Sequence, residues 1–208
     1  MTLNYDPDDA VKELSKNDKQ LGGLIKKVGP FAMALHPRMS PFESLLRAIV
    51  YQQLSGKAAA AIHRRVRSLF KGSRVAPKAV QEIAPEALRG AGLSRAKVLA
   101  VKDLAEKSLA GIVPRRNVLA RMSDDEIVAQ LTEVRGIGRW TVEMMLIFQL
   151  GRSDVLPIDD LGVRKGFQKI YGGEQLPTPK ELAEYGTCWR PYRSVASWYL
   201  WRAVDQVL

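Results

Sequence analysis

Two glycines, Gly136 and Gly138, interrupt an otherwise helical pattern and could form an anion-binding turn. Glycine accepts a positive φ and lets another backbone come close, so the pair predicts a tight turn between two helices. The N–H groups at the start of the second helix would then face outward and could bind a phosphate. Many helical hairpins turn on glycine, however. On these residues alone, a purely structural turn is an equally good interpretation.

Two adjacent carboxylates, Asp159 and Asp160, follow Pro157 further along the chain. They precede a basic segment, residues 161–166, that is predicted to be helical. One acid of such a pair commonly caps the helix, because its side chain accepts from the free N–H groups of the first turn. The other would be available for chemistry that uses a carboxylate, such as stabilising positive charge.

Capping signals mark the helices that must position these motifs. Three capping boxes begin at Ser40, Ser123 and Thr178, each with a glutamate three residues later. Apolar residues follow the first two at helical spacing, and no stretch shows the alternation of a strand. The predicted fold class is therefore all-α.

Other segments carry weaker signals. Asp6 followed by Pro7 predicts a helix start, and that helix is expected to end near Gly22 and Gly23. Residues 111–121 are expected to be a basic connection leading to the glycine turn. A final aromatic helix is expected over residues 189–202, which hold three of the four tryptophans.

The charge of the chain points to a polyanionic partner. The 208 residues carry a net charge of +10, and residues 57–121 hold 15 Lys and Arg against 4 Asp and Glu. A surplus this concentrated favours nucleic acid over an ordinary solvated face. A single cysteine and two histidines argue against disulfides, iron–sulfur clusters and zinc, and no apolar run is long enough for a membrane span. We expect a cytoplasmic protein if the source is bacterial or archaeal, and a nuclear one if it is eukaryotic.

A glutamine pair, Gln52 and Gln53, follows a strongly apolar helix just before a glycine-containing break. Composition alone favours an ordinary polar helix end. Lys97, in the segment Gly-Leu-Ser-Arg-Ala-Lys, is most simply a surface or phosphate-contacting charge.

Together these motifs resemble the helix-hairpin-helix DNA glycosylase superfamily. The pattern Leu-x-x-Val-x-Gly-Ile-Gly-x-Trp-Thr over residues 131–141, followed by Pro-x-Asp-Asp at 157–160, is similar to its 3-methyladenine DNA glycosylase II branch. The resemblance covers roughly residues 40–205, and it implies a compact form without the N-terminal β-rich domain of larger relatives. It also implies two helical lobes flanking an active-site cleft. Residues 1–40 would pack with the C-terminal lobe, 41–155 would form a six-helix lobe with the hairpin at about 123–150, and 156–208 would carry the catalytic aspartate.

The resemblance also implies roles for individual residues. Asp160 would be catalytic and Asp159 the helix cap, while Gln53 would fill the space left by an extracted nucleotide, with Leu54 as the rival candidate. The implied base pocket comprises Tyr51, Trp140, Met144 and Trp201. The implied contacts to the DNA backbone are Arg135, Gly136, Ile137, Gly138 and Arg139. Backbone carbonyls of Thr132, Val134 and Ile137 would bind a structural Na⁺ or K⁺, and no other cofactor is expected.

The implied activity is base release from alkylated, flipped-out purines in double-stranded DNA by a monomeric enzyme. In the strand-cutting branch of the superfamily, a lysine occupies the position of Trp140, and tryptophan cannot form the required Schiff base. The expected enzyme is therefore monofunctional. Met144 replaces an aromatic residue of some relatives, which leaves the base preference open. A non-catalytic hairpin module and a bifunctional glycosylase/lyase are the alternatives.

Overall fold

The computed structural model describes residues 3–36, 39–72 and 74–205, and over these residues the fold is all-α, as predicted. No strand occurs in the described ranges, and no helix in them is long and apolar enough to cross a membrane. The helices are α1 (Pro7–Asn17), α2 (Lys19–Val28), α3 (Pro41–Tyr51), α4 (Gly56–Ser68), α5 (Pro77–Glu82), α6 (Pro85–Gly90), α7 (Arg95–Leu109), α8 (Arg116–Leu119), α9 (Asp124–Leu131), α10 (Arg139–Met145), α11 (Leu161–Tyr171), α12 (Pro179–Tyr185) and α13 (Arg193–Asp205). A π-helical turn (Leu146–Leu150) follows α10, and a 3₁₀ turn (Gly186–Trp189) follows α12.

The chain forms two compact units, divided within α10. One unit, here called the Asp160 unit, comprises the described residues up to His36 and those from Glu143 onward. The other, the hairpin unit, consists of the described residues that lie between these two parts and ends at Val142. Each unit is described by itself below.

The Asp160 unit is built around α13, which packs against α11, α2 and α1. Its core contains the fully buried Trp189 and Tyr199. The buried carboxylate of Asp18 accepts hydrogen bonds from the Trp189 indole at 2.8 Å and from the Tyr171 hydroxyl at 2.5 Å. A single charged group thereby ties the N-terminal helices to the C-terminal ones.

Asp18 also corrects the prediction for the first helix. That helix was expected to reach Gly22 and Gly23, but α1 ends at Asn17 and α2 contains both glycines. The Asp18 side chain caps α2 by accepting from the backbone N–H groups of Gln20 and Leu21, both at 3.0 Å. Gly22 lies where an added Cβ would be 3.2 Å from the Cα of Ser15, so it allows α1 and α2 to pack closely.

The hairpin unit is organised by α7, which contacts α3, α5 and α6. Its core includes large fully buried side chains from several helices: Leu45, Leu46, Ile49, Leu88, Leu104, Leu119, Ile127 and Leu131. The predicted capping boxes at Ser40 and Ser123 are both formed, as is the one at Thr178 in the other unit. The fold therefore follows the local helix-start signals closely.

The structure adds detail to one further prediction and corrects another. The basic connection over residues 111–121 contains the short helix α8. The aromatic helix expected from residue 189 starts only at Arg193, because Trp189 belongs to the 3₁₀ turn. Pro191 lies between them, and a proline removes a backbone donor and restricts the residue before it.

Candidate functional site

Asp160 is the N-cap of α11, which corrects the expectation that Asp159 would be the cap. The backbone N–H of Asp160 donates to the Pro157 carbonyl at 3.0 Å, and this turn places Asp160 immediately before the first helical residue. The Oδ1 atom of Asp160 accepts the backbone N–H of Val163 at 2.8 Å. Asp159 is exposed in the turn. The capping bond thus fixes the position of the carboxylate that was singled out for chemistry.

Trp201, in α13, donates a hydrogen bond to the same carboxylate. Its indole Nε1–H donates to Oδ1 of Asp160 at 2.8 Å. An ionised carboxylate accepts several hydrogen bonds, so one oxygen can satisfy both the Val163 amide and the indole. Trp201 and Asp160, which are 41 residues apart, are therefore joined directly.

Two glycines of α11 make this pairing sterically possible. An added Cβ at Gly162 would lie 2.8 Å from Cδ1 of Trp201 and 3.0 Å from Oδ1 of Asp160. An added Cβ at Gly166 would collide with the backbone of Leu200. Residues four apart share one helix face, so both glycines lie where α13 approaches. Sequence reasoning missed them, although glycine inside a helical pattern is a recognisable sign of close packing.

Phe148 supplies a second aromatic ring beside Trp201. The two rings are stacked, with centroids 5.6 Å apart and planes inclined by 27°. Phe148 belongs to the π-helical turn, a feature that often occurs at functional sites. Both rings are partly exposed. Sequence reasoning missed Phe148 because it lies in an apolar run that resembled ordinary helix core.

A charged clamp fixes the segment that leads to Asp160. Arg193, at the start of α13, donates from Nε to Oδ1 of Asp154 at 2.6 Å and from Nη2 to Oδ2 at 3.0 Å. Such bidentate pairs are geometrically specific. The Ser194 hydroxyl accepts the backbone N–H of Val155 at 3.0 Å. The start of α13, through Arg193 and Ser194, and its later residue Trp201 therefore both help to position Asp160.

The predicted hairpin forms in the other unit, between α9 and α10. Gly136 has a φ of +77°, a left-handed conformation that favours glycine, and Ile137 donates to the Val134 carbonyl at 3.0 Å. The Ile137 side chain is buried, which anchors the turn. The other predicted backbone-contacting residues are exposed: Arg135, Gly136, Gly138 and Arg139. This arrangement leaves the polypeptide backbone of the turn accessible.

The glutamine pair also forms a turn at the surface. Gln53 has a φ of +56°, and it is the non-glycine residue with positive φ in the described part of the chain. Gln53 is exposed and Leu54 is 40% exposed, so either side chain is accessible from outside. The choice between them therefore stays open.

The remaining predicted pocket residues differ in their surroundings. Trp140, in the first turn of α10, is 45% exposed, and Met144 in the same helix is half-buried. The Tyr51 ring is already engaged in the hairpin unit. The Arg47 guanidinium carbon lies 4.1 Å from its centroid, and the His63 ring lies edge-on to it at 6.0 Å.

Lys97 is not a simple surface charge. Its Nζ donates to the carbonyls of Val50 at 2.8 Å and Gln52 at 2.7 Å. Burial lowers the pKa of this amine from its ordinary value. Sequence reasoning could not find this contact, because it joins residues more than 40 positions apart through tertiary packing.

These features define a helix-hairpin-helix fold with a helix-capping aspartate, and comparison with known proteins agrees. The family model described as HhH-GPD superfamily base excision DNA repair protein matches residues 46–191. The chain belongs to this superfamily, which confirms the resemblance seen in the sequence.

Relatives and solved structures extend the similarity over nearly the whole chain. DNA-3-methyladenine glycosylase 1 of Schizosaccharomyces pombe is 35% identical over 212 residues, covering 97% of this chain and 93% of that protein. The solved structure of S. pombe 3-methyladenine DNA glycosylase in complex with abasic DNA has a TM-score of 0.85 at 35% identity, covering 96% of this chain and 98% of that one. A Bacillus halodurans DNA-3-methyladenine glycosidase structure has a TM-score of 0.87 at 35% identity, covering 99% and 92%.

Proposed function

We propose that this protein is a base-excision-repair DNA glycosylase that hydrolyses the N-glycosidic bond of alkylated purines, such as 3-methyladenine and 7-methylguanine. The observation that carries the proposal is the Asp160 carboxylate fixed by the Trp201 indole, with the Phe148 ring stacked on that tryptophan. The names of the relatives support the same activity.

Asp160 would act on the sugar. When the C1′–N bond breaks, its electron pair leaves with the base, and positive charge develops on the sugar ring. A fixed carboxylate stabilises that charge, and it can orient the water whose oxygen adds to C1′. The water proton passes to the carboxylate or to solvent, and an abasic sugar remains. A base that is already cationic leaves readily, so no strong general acid is needed.

Aromatic rings would select the base. Trp201 and Phe148 present partly exposed π-systems beside Asp160, and Met144 of the same unit is proposed to join them in the pocket. Cations bind favourably over aromatic faces, by ~0.5–2 kcal/mol. An alkylated purine carries positive charge, so it would be preferred to a neutral one. Tyr51 is proposed to contribute less to base selection than these rings do, because Arg47 already lies over its ring.

The hairpin unit would hold the DNA. Backbone N–H groups at the Gly136 turn would bind phosphate, and the concentrated positive charge of residues 57–121 would supply salt-dependent attraction. Gln53 or Leu54 would fill the space vacated by the flipped nucleotide, since extrusion of a base costs a few kcal/mol of stacking. The partner is therefore double-stranded DNA containing a damaged base.

The backbone carbonyls of the hairpin are proposed to bind a monovalent cation. Thr132 is the C-cap of α9, where the last carbonyls lack partners within the helix. The Val134 carbonyl accepts one hydrogen bond, from Ile137, and retains a second lone pair. Carbonyl oxygens of Thr132, Val134 and Ile137 would bind Na⁺ or K⁺. When bound, the ion would add positive charge near a DNA phosphate.

We further propose that the enzyme is monofunctional and monomeric. Trp140 stands where the strand-cutting relatives have lysine, so no amine at that position can attack C1′. The enzyme would work in the cytoplasm of a bacterium or archaeon, or in the nucleus of a eukaryote, where its DNA substrate is found.

Product analysis of methylated duplex DNA tests this proposal. The expected result is free 3-methyladenine and 7-methylguanine, with strands that break only after alkali treatment. Strand breaks before alkali, together with a borohydride-trapped covalent complex, would identify a lyase. Absence of base release across methylated, deaminated and etheno-adduct duplexes would leave a DNA-binding module.

A further inference from the structure

The C-terminal end of α3 is held by a lysine from another helix. Lys97 Nζ of α7 donates to the carbonyls of Val50 and Gln52, and Gln52 is the C-cap of α3. The last carbonyls of a helix lack intrahelical partners and carry partial negative charge, so a lysine there is favourable. Lys97 thus caps α3 from outside, immediately before Gln53.

The turn that follows needs such support. Gln53 adopts a left-handed backbone with a φ of +56°, which is uncommon for a residue other than glycine or asparagine. The turn is closed by a long hydrogen bond of 3.4 Å from the Leu54 N–H to the Tyr51 carbonyl. Two shorter bonds from Lys97 fix the backbone on the N-terminal side of this turn.

The same turn is tied to the phosphate-binding hairpin. The Gln52 side-chain amide donates to the Gly136 carbonyl at 2.8 Å. Asp103 of α7 accepts the backbone N–H of Arg135 at 2.7 Å, and Lys107 donates to the Glu133 carbonyl. A Cβ on Gly136 would lie 3.4 Å from the Cβ of Ala100.

One face of α7 therefore supports both elements. Lys97, Ala100, Asp103 and Lys107 recur three or four residues apart, which is the spacing of one helix face. That face contacts the α3 end at Lys97 and the hairpin at the other three positions. These contacts fix the position of the turn relative to the hairpin within one unit.

We propose that Lys97 is a positioning residue: by capping α3, it sets the turn that presents Gln53 to DNA, and Gln52 locks that turn to the hairpin. Lys97 does not touch DNA in this account. The inference takes Gln53, rather than Leu54, as the residue that fills the vacated space, and it rests on the proposed function for that filling. Its test is a binding measurement, so it can fail separately from the proposed catalysis.

The test compares binding to an undamaged duplex with binding to a duplex containing a tetrahydrofuran abasic-site analogue. The ratio of the affinity for the abasic-analogue duplex to the affinity for the undamaged duplex measures how well the turn fills the vacated space. The salt dependence of binding measures the phosphate contacts. Lys97→Met keeps the apolar stem and removes the donors. We expect it to lower the ratio about as far as Gln53→Ala does, with the salt slope unchanged, and to slow single-turnover base release about tenfold.

A matched control is available on the same helix. Lys102 donates to the carbonyls of Gln81 and Ile83 at the end of α5, so Lys102→Met removes the same kind of cap away from the turn. Its ratio should match that of the wild type. Lys97→Arg keeps a donor and a charge and should recover part of the ratio.

A double-mutant cycle decides whether Lys97 acts through Gln53. If it does, Lys97→Met combined with Gln53→Ala has a ratio no lower than Gln53→Ala alone. Additive losses, a wild-type ratio in Lys97→Met, or a wild-type ratio in Gln53→Ala would each overturn the proposal. Equal weakening of both duplexes, with a salt slope smaller by about one, would instead show a phosphate contact.

Gln52→Leu keeps the proposal testable if Lys97→Met does not fold. It removes only the bond to Gly136, and we expect a lower ratio with unchanged binding to undamaged duplex. A wild-type ratio in this variant would overturn the proposed lock between turn and hairpin. Wild-type protein that prefers the abasic analogue but releases no base would contradict the proposed function alone.

Discussion

The indole N–H of Trp201 donates to Oδ1 of Asp160 at 2.8 Å, and the same oxygen accepts the backbone N–H of Val163 at 2.8 Å. Two rigid helices, α11 and α13, therefore determine where the carboxylate lies. Preorganised groups stabilise developing charge without reorganising during the reaction. Precise placement of Asp160 is thus the property that substitutions in this unit should disturb.

Trp201→Phe should slow base release by roughly tenfold or more, because it removes a hydrogen bond to a carboxylate, which is typically worth about 1.5–3 kcal/mol. The phenyl ring can still stack on Phe148, so binding of an abasic-site duplex should change little. Single-turnover rates and binding measured on the same preparation check this. A rate equal to that of the wild type would show that the indole N–H does not position Asp160.

Gly162→Ala, in α11, should disturb the contact between Trp201 and Asp160. Its Cβ would lie 2.8 Å from Cδ1 of Trp201, so the indole must move away from its position beside Asp160, and both activity and melting temperature should fall. Overpacking of this kind typically costs ~1–3 kcal/mol.

Gly23→Ala in α2 is the matched control for that substitution. Its Cβ would meet nothing within 4 Å, and the position is exposed. Replacing a helical glycine by alanine should stabilise the protein by about 0.5–1 kcal/mol. Thermal unfolding of both variants, together with base-release rates, separates the two effects. Full activity in Gly162→Ala would argue against close packing between Gly162 and Trp201.

Gly138→Ala should weaken binding to damaged and undamaged duplex alike. No atom of the protein lies within 4 Å of an added Cβ at Gly138, so the fold should be unaffected, and a loss of binding must come from the DNA side. Phosphate contacts carry no sequence information, which is why both duplexes should be affected.

Gly136→Ala tests the turn itself. The φ of +77° makes alanine unfavourable there, so this variant should lose both stability and binding. Fluorescence anisotropy with the two duplexes, alongside thermal unfolding, distinguishes the two glycines. Weaker binding to only one duplex would contradict a role in holding the backbone.

Asp18 should make the stability of the protein depend on acid pH. Burial acts to raise the pKa of this carboxyl, but hydrogen bonds from the Leu21 amide and from Tyr171, Trp189 and Tyr185 outweigh it, so its pKa lies below the ordinary value of 3.8. A depressed pKa contributes stability that is present above the ordinary value and lost as pH falls through the folded-state pKa.

Asp18→Asn should therefore destabilise the protein at pH 7 by ~2–3 kcal/mol, a typical value for hydrogen bonds to a charged group. The difference from the wild type should shrink as pH falls below 3.8. Asp6→Asn is the control, since Asp6 is an exposed N-cap and asparagine caps equally well. A difference between Asp18→Asn and wild type that does not vary with pH would contradict the role of the ionised carboxylate.

Local signals in the sequence predicted the helix starts well. Ser40, Ser123 and Thr178 all cap helices as expected, because a capping box depends only on residues three positions apart. The turn at Gly136 was predictable for the same reason. The break at Asp18 was missed, since no proline or glycine marks it and two of its side-chain partners, Tyr171 and Trp189, are more than 150 residues away.

The candidate site was predictable only in part. Asp160 and Trp201 could be chosen by resemblance, but their hydrogen bond depends on how α11 and α13 pack. Gly162 and Phe148 contribute through that same packing. A glycine inside a helical pattern is a sign of close packing, but the apolar run around Phe148 gave no indication of its role. The assignment of the cap to Asp159 was wrong because the Pro157 turn shifts the helix start by one residue.

Base release by Asp160→Asn tests whether the Asp160 carboxylate is the catalytic group. Asparagine caps a helix as well as aspartate does, so α11 and the bond from Trp201 can be retained while the charge is removed. Asp159→Asn, one residue earlier and exposed, is the matched control. In single-turnover assays with methylated duplex, we expect Asp160→Asn to release base at least ~100-fold more slowly than the wild type, with duplex binding intact. Asp159→Asn should behave as the wild type. Near-wild-type turnover by Asp160→Asn, with loss of activity in Asp159→Asn, would contradict the catalytic role of Asp160.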